Sequence, residues 1–191
     1  LVGMEYASDD FEMKAFDAAL PLLFGQGAVA GFTDLLAGKE GGNGYAVCQA
    51  EIEAEGKPLC SGLLHWFGRR AKSGAITIVV PPGEPVATRA ALPKNMAKLD
   101  LGDPAFEIWS DKPDDARALM TDAFRAYLSG LAAADPVYAY FARNNAFLLA
   151  RSPPAFEPEN PPADREARLR AIFDGAAAAF RTAAPFREFV V

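Results

Sequence analysis

The chain holds one histidine and two cysteines. Any Ser-His or Cys-His mechanism must therefore pass through His65. Ser61 lies four residues earlier on the same strand-like run, about 13 Å away at about 3.3 Å per residue, which is too far for a hydrogen bond. Cys48 is the better partner. It belongs to a run from Tyr45 in which Ala46, Cys48, Ala50, Ile52 and Ala54 alternate with Gln49, Glu51 and Glu53, the pattern of a half-buried antiparallel strand. A two-residue turn at Glu55 and Gly56 sets Ala54 opposite Lys57, Cys60 opposite Glu51 and Cys48 opposite Leu63. In that register Cys48 is diagonal to His65 on one face. Ala46, Ala50 and Ile52 share the face, and an apolar setting raises a thiol's pKa instead of activating it, so core residues are expected here and not a dyad. The same register points the Cys48 and Cys60 sulfurs to opposite faces, which predicts two buried free thiols in a reducing, cytoplasmic compartment.

Cys48, Cys60 and His65 are one ligand short of a structural zinc set. Asp100, Asp103, Glu107, Asp111, Asp114 and Asp115 could offer oxygen ligands to calcium or magnesium, but their spacing does not fit a calcium loop. Asp111, Asp114 and Asp115 also stand where helix N-termini favour negative charge, so turns and caps are expected there. The glycines from Gly38 to Gly44 lack the Gly-Lys-Ser/Thr ending of a phosphate loop and read as a connection between strands. Arg69, Arg70 and Lys72 read as a solvated basic turn. These residues specify no catalytic set, no metal site and no cofactor.

The elements that position them follow from periodicity. Val2 to Tyr6 reads as a short strand, and Ser8 and Asp9 offer an N-cap ahead of Phe11, Ala15, Phe16 and Ala19, with Pro21 ending that helix. Strands are expected over Phe32 to Ala37, Tyr45 to Ala54, Leu59 to Phe67, Ala75 to Val80, Ala97 to Leu101 and Phe106 to Trp109. Ser110 or Asp111 can cap a helix near Pro113, and Thr121 a second with Phe124, Tyr127, Leu128 and Leu131 on one stripe. Val137 to Ala142 and Ala146 to Ala150 read as a hairpin. The strand Leu59 to Phe67 is apolar on both faces, so cover is expected on each side of the sheet, with Trp66, Phe67, Trp109, Tyr138, Tyr140 and Phe141 mainly in core packing. Ser152 to Pro162 contains five prolines and reads as an extended strap anchored by Phe156. It leads to a helix from about Asp164 to Ala183 whose stripe is Leu169, Ile172, Phe173, Ala176 and Phe180. The expected fold is a single α+β domain over residues 1–191, a mainly antiparallel meander sheet with helices packed on it.

A net charge of −6 repels polyanions, which argues against nucleic acid as a partner. The longest apolar stretches fall short of the roughly 20 residues that span a bilayer. No secretory signal pattern opens the chain, and its start at Leu1 leaves open whether a natural N-terminal segment precedes it.

The runs Leu99-Asp100-Leu101, Asp103-Pro104, Phe106-Glu107-Ile108-Trp109-Ser110-Asp111, Asp115-Ala116-Arg117 and Thr121-Asp122-Ala123-Phe124 resemble the central motif of a bacterial family catalogued only as domain of unknown function 3137. Ser61-Gly62-Leu63-Leu64, the strand ending at Pro81, the hairpin and Phe156-Glu157-Pro158 follow in that family's order. The chain departs from it in a shorter stretch between Pro104 and Trp109 and in Pro82 where an acidic residue is usual. The resemblance implies a soluble region with a membrane tether ahead of it on the inner face, and it brings no known activity. Together these features point to a non-enzymatic binding or protein-interaction domain with a protein or small-molecule ligand. The alternative is a carboxylate-based enzyme of unrecognised type, with or without a divalent metal, built around Asp100 to Asp115.

Overall fold

The computed structural model describes residues 5–7, 13–40, 43–69, 71, 74–83, 92–150 and 164–190. Val2, Ser8, Asp9, Phe11, Arg70, Lys72 and the strap 152–162 with Phe156 lie outside the described residues. In chain order the elements are β1 (Glu5–Ala7), α1 (Leu20–Phe24), β2 (Ala28–Glu40), β3 (Asn43–Ala54), β4 (Lys57–Gly68), β5 (Thr77–Val80), β6 (Ala97–Leu99) and β7 (Glu107–Ser110). Then come α2 (Pro113–Leu119), α3 (Asp122–Ala132), β8 (Val137–Phe141), β9 (Asn145–Ala150) and α4 (Arg165–Val190).

Among the described residues the strands form one sheet in the order β1-β2-β3-β4-β9-β8-β5-β7-β6, with every pairing antiparallel. With a helix at the C-terminal end of the described chain, this is the α+β architecture expected from the sequence. The β8–β9 hairpin occupies the middle of the sheet, between β4 and β5. Its sequence explains the position: all five residues of β8 and the four from Ala146 to Leu149 are buried, so neither face tolerates water.

The two faces carry different cover. One packs Val79, Ile108, Ala139, Phe141 and Leu148 against Ala116 of α2, Phe124 and Leu128 of α3, and Ala183, Phe186 and Val190 of α4. The other packs Cys48, Ala50, Ile52, Leu64, Ile78 and Phe147 against Phe16, Ala19, Leu23 and Phe24 from the turns before α1 and from α1 itself. β4 thus has the cover on both sides that its composition demands.

Several elements depart from expectation for identifiable reasons. Pro21 begins α1 instead of ending a helix, because the first turn needs no proline N–H. Gly38 and Gly44 lie inside β2 and β3, not in a loop. A Cβ on Gly38 would stand 3.1 Å from the Tyr45 hydroxyl, and one on Gly44 would stand 3.0 Å from the Trp66 ring, so each glycine makes room for an aromatic side chain crossing the strand. α2 has Lys112 at its N-cap with no side-chain cap; the Ser110 hydroxyl accepts the Lys112 amide at 3.1 Å and donates to the Ile76 carbonyl, and Asp111 accepts the Ile76 amide. Thr121 does cap α3, its hydroxyl accepting from the Phe124 amide at 3.3 Å.

α4 runs seven residues past Ala183, and its buried stripe is Ala179, Ala183, Phe186 and Val190. Ile172 and Phe180 are half-buried, whereas Leu169 and Phe173 are exposed. The helix turns toward the surface richest in rings. Phe186 lies 5.6 Å from Phe67, 5.7 Å from Phe124 and 5.5 Å from Phe141, and Phe180 meets Tyr45 edge-on at 5.0 Å.

Candidate binding cleft

The turn at Glu55 and Gly56 forms as expected, with Ala54 opposite Lys57 and Gly56 at φ 71°. Beyond it the register slips by one. Glu53 pairs with Pro58 but Ile52 pairs with Cys60, so Leu59 is the extra residue of a β-bulge. Cys48 therefore stands opposite Leu64, not Leu63, and His65 stands opposite Val47. The slip exchanges faces for every residue of β4 after the bulge, and it dissolves the candidate dyad: Cys48 and His65 are on opposite sides of the sheet.

Both cysteines now share one face, contrary to the register read from the sequence. Cys60 is opposite Ile52, four positions along β3 from Cys48, roughly 13 Å at about 3.3 Å per residue and beyond disulfide reach. Both cysteines are buried, and they form no disulfide. Burial pushes the Cys48 thiol up to about 12, which leaves no nucleophilic thiolate at neutral pH, and its S–H points to the Leu64 carbonyl at 3.9 Å. His65 is 3% exposed on the α4 side, and burial holds it down to about 4, so the imidazole is neutral in the fold. Its Nδ1 and the Gln49 Oε1 are buried with no hydrogen-bond partner. Ser61 is on that same face, as expected, but four residues from His65 along β4.

The acidic run resolves into turns and caps. Asp100 accepts the Gly102 amide at 3.1 Å, and Asp103 accepts the Ala105 amide at 3.0 Å. Asp111 accepts the Ile76 amide at 2.7 Å, tying β7 to the approach of β5, while Asp114 pairs with Arg117 at 3.0 Å. Burial, with the Asp111 charge second, raises the nearby Tyr140 phenol. Among the described residues no three or more His, Cys, Asp or Glu side chains are grouped to hold a metal ion. Arg69 is not the solvated residue expected: its Nε and Nη1 are buried without hydrogen-bond partners, and burial lowers its pKa.

Asp100, Asp103 and Glu107 nevertheless line one cleft, without being grouped closely enough to hold a metal ion. A cleft of about 460 Å³ opens where the loop from Asp100 to Phe106 folds beside Pro82 at the β6 end of the sheet. Leu99, Leu101, Phe106 and Ile108 form its apolar walls, and Lys98, Asp100, Asp103 and Glu107 supply its polar groups. Lys98 bonds the Glu107 carboxylate at 3.0 Å, and Glu107 is the more buried partner, its side chain 11% exposed. The Trp109 indole N–H also donates to Glu107 at 3.4 Å. From below, α3 fixes the loop with two side chains one helical turn apart. Arg125 donates to the Leu101 carbonyl at 2.8 Å, and the Ser129 hydroxyl donates to Asp103 at 2.7 Å. Arg125 is itself oriented by Asp122 at 2.6 Å.

Sequence reasoning reached Asp100, Asp103 and Glu107 but missed Lys98, Phe106 and the α3 struts. Arg125 and Ser129, at an i, i+4 spacing beside the stripe of α3, were the available signal. The Lys98–Glu107 pair has no local signature, since it exists only once β6 and β7 take their register.

No family model matches the chain, and no curated protein matches it. Among solved structures it is similar to the crystal structure of the mycobacterial trehalose monomycolate transport factor A, TtfA, over 94% of this chain and 88% of that one, with a TM-score of 0.53 and 10% identity. What the two share at that identity is the fold.

Proposed function

We propose that this chain is a non-enzymatic binding domain whose ligand, a small molecule or a segment of a partner protein, seats in the β6–β7 cleft. The observation that carries the proposal is the way α3 and the Asx turns hold the cleft open: Asp100, Asp103, Arg125 and Ser129 are committed to the shape of one loop. A ligand entering such a cleft meets a surface already ordered, which limits the entropy lost on binding. The volume lies within the range of about 300–1,000 Å³ usual for ligand pockets. That a transport factor has the same fold agrees with a binding role, although folds host many functions and the proposal stands on the cleft.

We extend the proposal to a bacterial protein tethered at the cytoplasmic face of a membrane. The resemblance to domain of unknown function 3137 supports this, as do the two buried cysteines outside any disulfide, which suit a reducing compartment. No helix of the described residues is long and apolar enough to cross a membrane, so the proposed tether is a segment beyond them.

The test is affinity capture from cells with the full-length protein, comparing wild type with Lys98→Glu and Phe106→Asp. A ligand or partner held by wild type and reduced about tenfold or more in both variants supports the proposal. Equal capture by all three, or turnover of a defined substrate, overturns it. Because Asp100, Asp103 and Glu107 line one cleft, the carboxylate-based enzyme keeps a foothold. Thermal melts with millimolar calcium, magnesium and manganese decide its metal-dependent form, since a metal bound only by the native state must raise the midpoint.

A further inference from the structure

The charged side chains that line the β6–β7 cleft are the carboxylates Asp100, Asp103 and Glu107 and a single ammonium, Lys98. One of the carboxylates is already answered. Lys98 bonds Glu107 at 3.0 Å across the β6–β7 pairing, so those two charges close on each other. Asp100 and Asp103 are held differently. Their hydrogen bonds come from neutral donors: the Gly102 amide on Asp100, and the Ala105 amide and Ser129 hydroxyl on Asp103. Such donors orient a carboxylate without cancelling its charge, and neither aspartate is in an ion pair among the described residues. The guanidinium that braces the loop from α3, Arg125, is taken by Asp122 and by the Leu101 carbonyl.

We propose that the cleft selects a cationic group on an apolar body, of the alkylammonium class, an inference that rests on the cleft being the ligand site. Leu99, Leu101, Phe106 and Ile108 wall the space beside the two unanswered carboxylates. Low-dielectric walls focus a field of one sign into the space between them, so a ligand that brings positive charge and apolar surface together meets both. Two other classes fail on the same residues. A metal ion needs its ligands gathered about one point, and among the described residues no three or more His, Cys, Asp or Glu side chains are so grouped. An anion would face Asp100 and Asp103 and would have to displace Glu107 to reach Lys98.

Amide chemical-shift titration of the full chain with n-hexylammonium, hexan-1-ol and hexanoate tests the charge, since the three probes share one apolar chain. The expected result is saturable shifts over Leu99 to Ile108, tightest for n-hexylammonium and weakest for hexanoate. Asp100→Asn keeps an oxygen for the Gly102 amide and removes only the charge. Together with Asp103→Asn it should weaken n-hexylammonium about tenfold or more and leave hexan-1-ol unchanged. Asp100→Asn alone decides the matter, with a smaller loss of the same kind, if the double variant alters amide shifts away from the loop. Hexanoate binding as tightly as n-hexylammonium, variants indifferent to the charge, or no shifts over Leu99 to Ile108 with n-hexylammonium overturns the proposal. A capped Leu-Lys-Leu peptide separates the two sources of such a group: tighter binding than n-hexylammonium assigns a partner's lysine side chain, weaker binding a free amine, and either ranking supports the shared chemistry. Lys98→Glu breaks the pair between β6 and β7 and Phe106→Asp removes an apolar wall, so capture by those variants judges the cleft itself while Asp100→Asn judges only the charge of its ligand.

Discussion

Between Ala179 and Val190, α4 buries Ala179, Ala183, Phe186 and Val190, whereas from Arg165 to Arg170 every residue of the same helix is exposed. The composition of the helix does not explain the contrast, since Leu169 and Phe173 are as apolar as the residues that dock. The surface opposite does. Toward the C-terminal end the helix meets Phe67, Phe124 and Phe141, while nearer its start Ile172 packs partly against the smaller cluster of Leu36, Val47, Leu63 and Ala179. A stripe is buried only where the facing element supplies matching apolar area, so the partner decides which residues of an amphipathic helix become core.

The contrast is broken most directly by Phe186→Ala. It removes a fully buried ring from a cluster that includes Phe67, Phe124 and Phe141, and the expected loss is about 3–5 kcal/mol, read from urea unfolding. Almost as large is the effect of acid on His65, which lies between Val47 and Leu148 on the α4 side. Its folded pKa is lowered to about 4 from an ordinary value of 6.5, so as pH falls the unfolded state takes the proton first. This contribution to stability is intact above pH 6.5 and is lost progressively down to pH 4, about 3 kcal/mol in all at about 1.36 kcal/mol per unit. Urea midpoints of wild type and His65→Leu across that window check it: the wild type should show the extra slope, and parallel curves would refute the assignment. The smallest effect sharpens the contrast from the other side. Phe173→Ser, in the open half, should change stability by no more than about 0.5 kcal/mol.

β3 was legible in the sequence because one of its faces is polar and period two is visible. β4 was legible as a strand but not in its phase, because it is apolar on both faces and a one-residue slip leaves its hydrophobic pattern unchanged. The consequence was local and complete: the dyad candidate and the facing of both cysteines followed from a register that the bulge overrides. In α4, apolar residues recur at every phase from Leu169 to Val190, so the helix could be read but its docked stripe could not. For the cleft, Asp100 and Asp103 announced turns through their neighbours Gly102 and Pro104, whereas the Lys98–Glu107 pair and the Arg125 strut depend on packing between elements distant in the chain.

Bulges flank β3 on both sides, since Thr33 pairs with Gln49 and Leu36 with Val47, leaving one residue over in β2 just as Leu59 is left over in β4. Each strand therefore changes parity partway along: residues of one number class feed one core before the bulge and the other core after it. Removing Leu59 would set Pro58 and Cys60 in succession opposite Glu53 and Ile52 and leave each side chain from Cys60 to Phe67 on its present face, whereas pairing Leu59 into the ladder would send His65 among the thiols and Leu64 toward α4. The facing of β2 and β4 therefore rests on one residue being left out of the ladder at each of these two points, and a change that draws that residue into pairing would reverse every side chain beyond it.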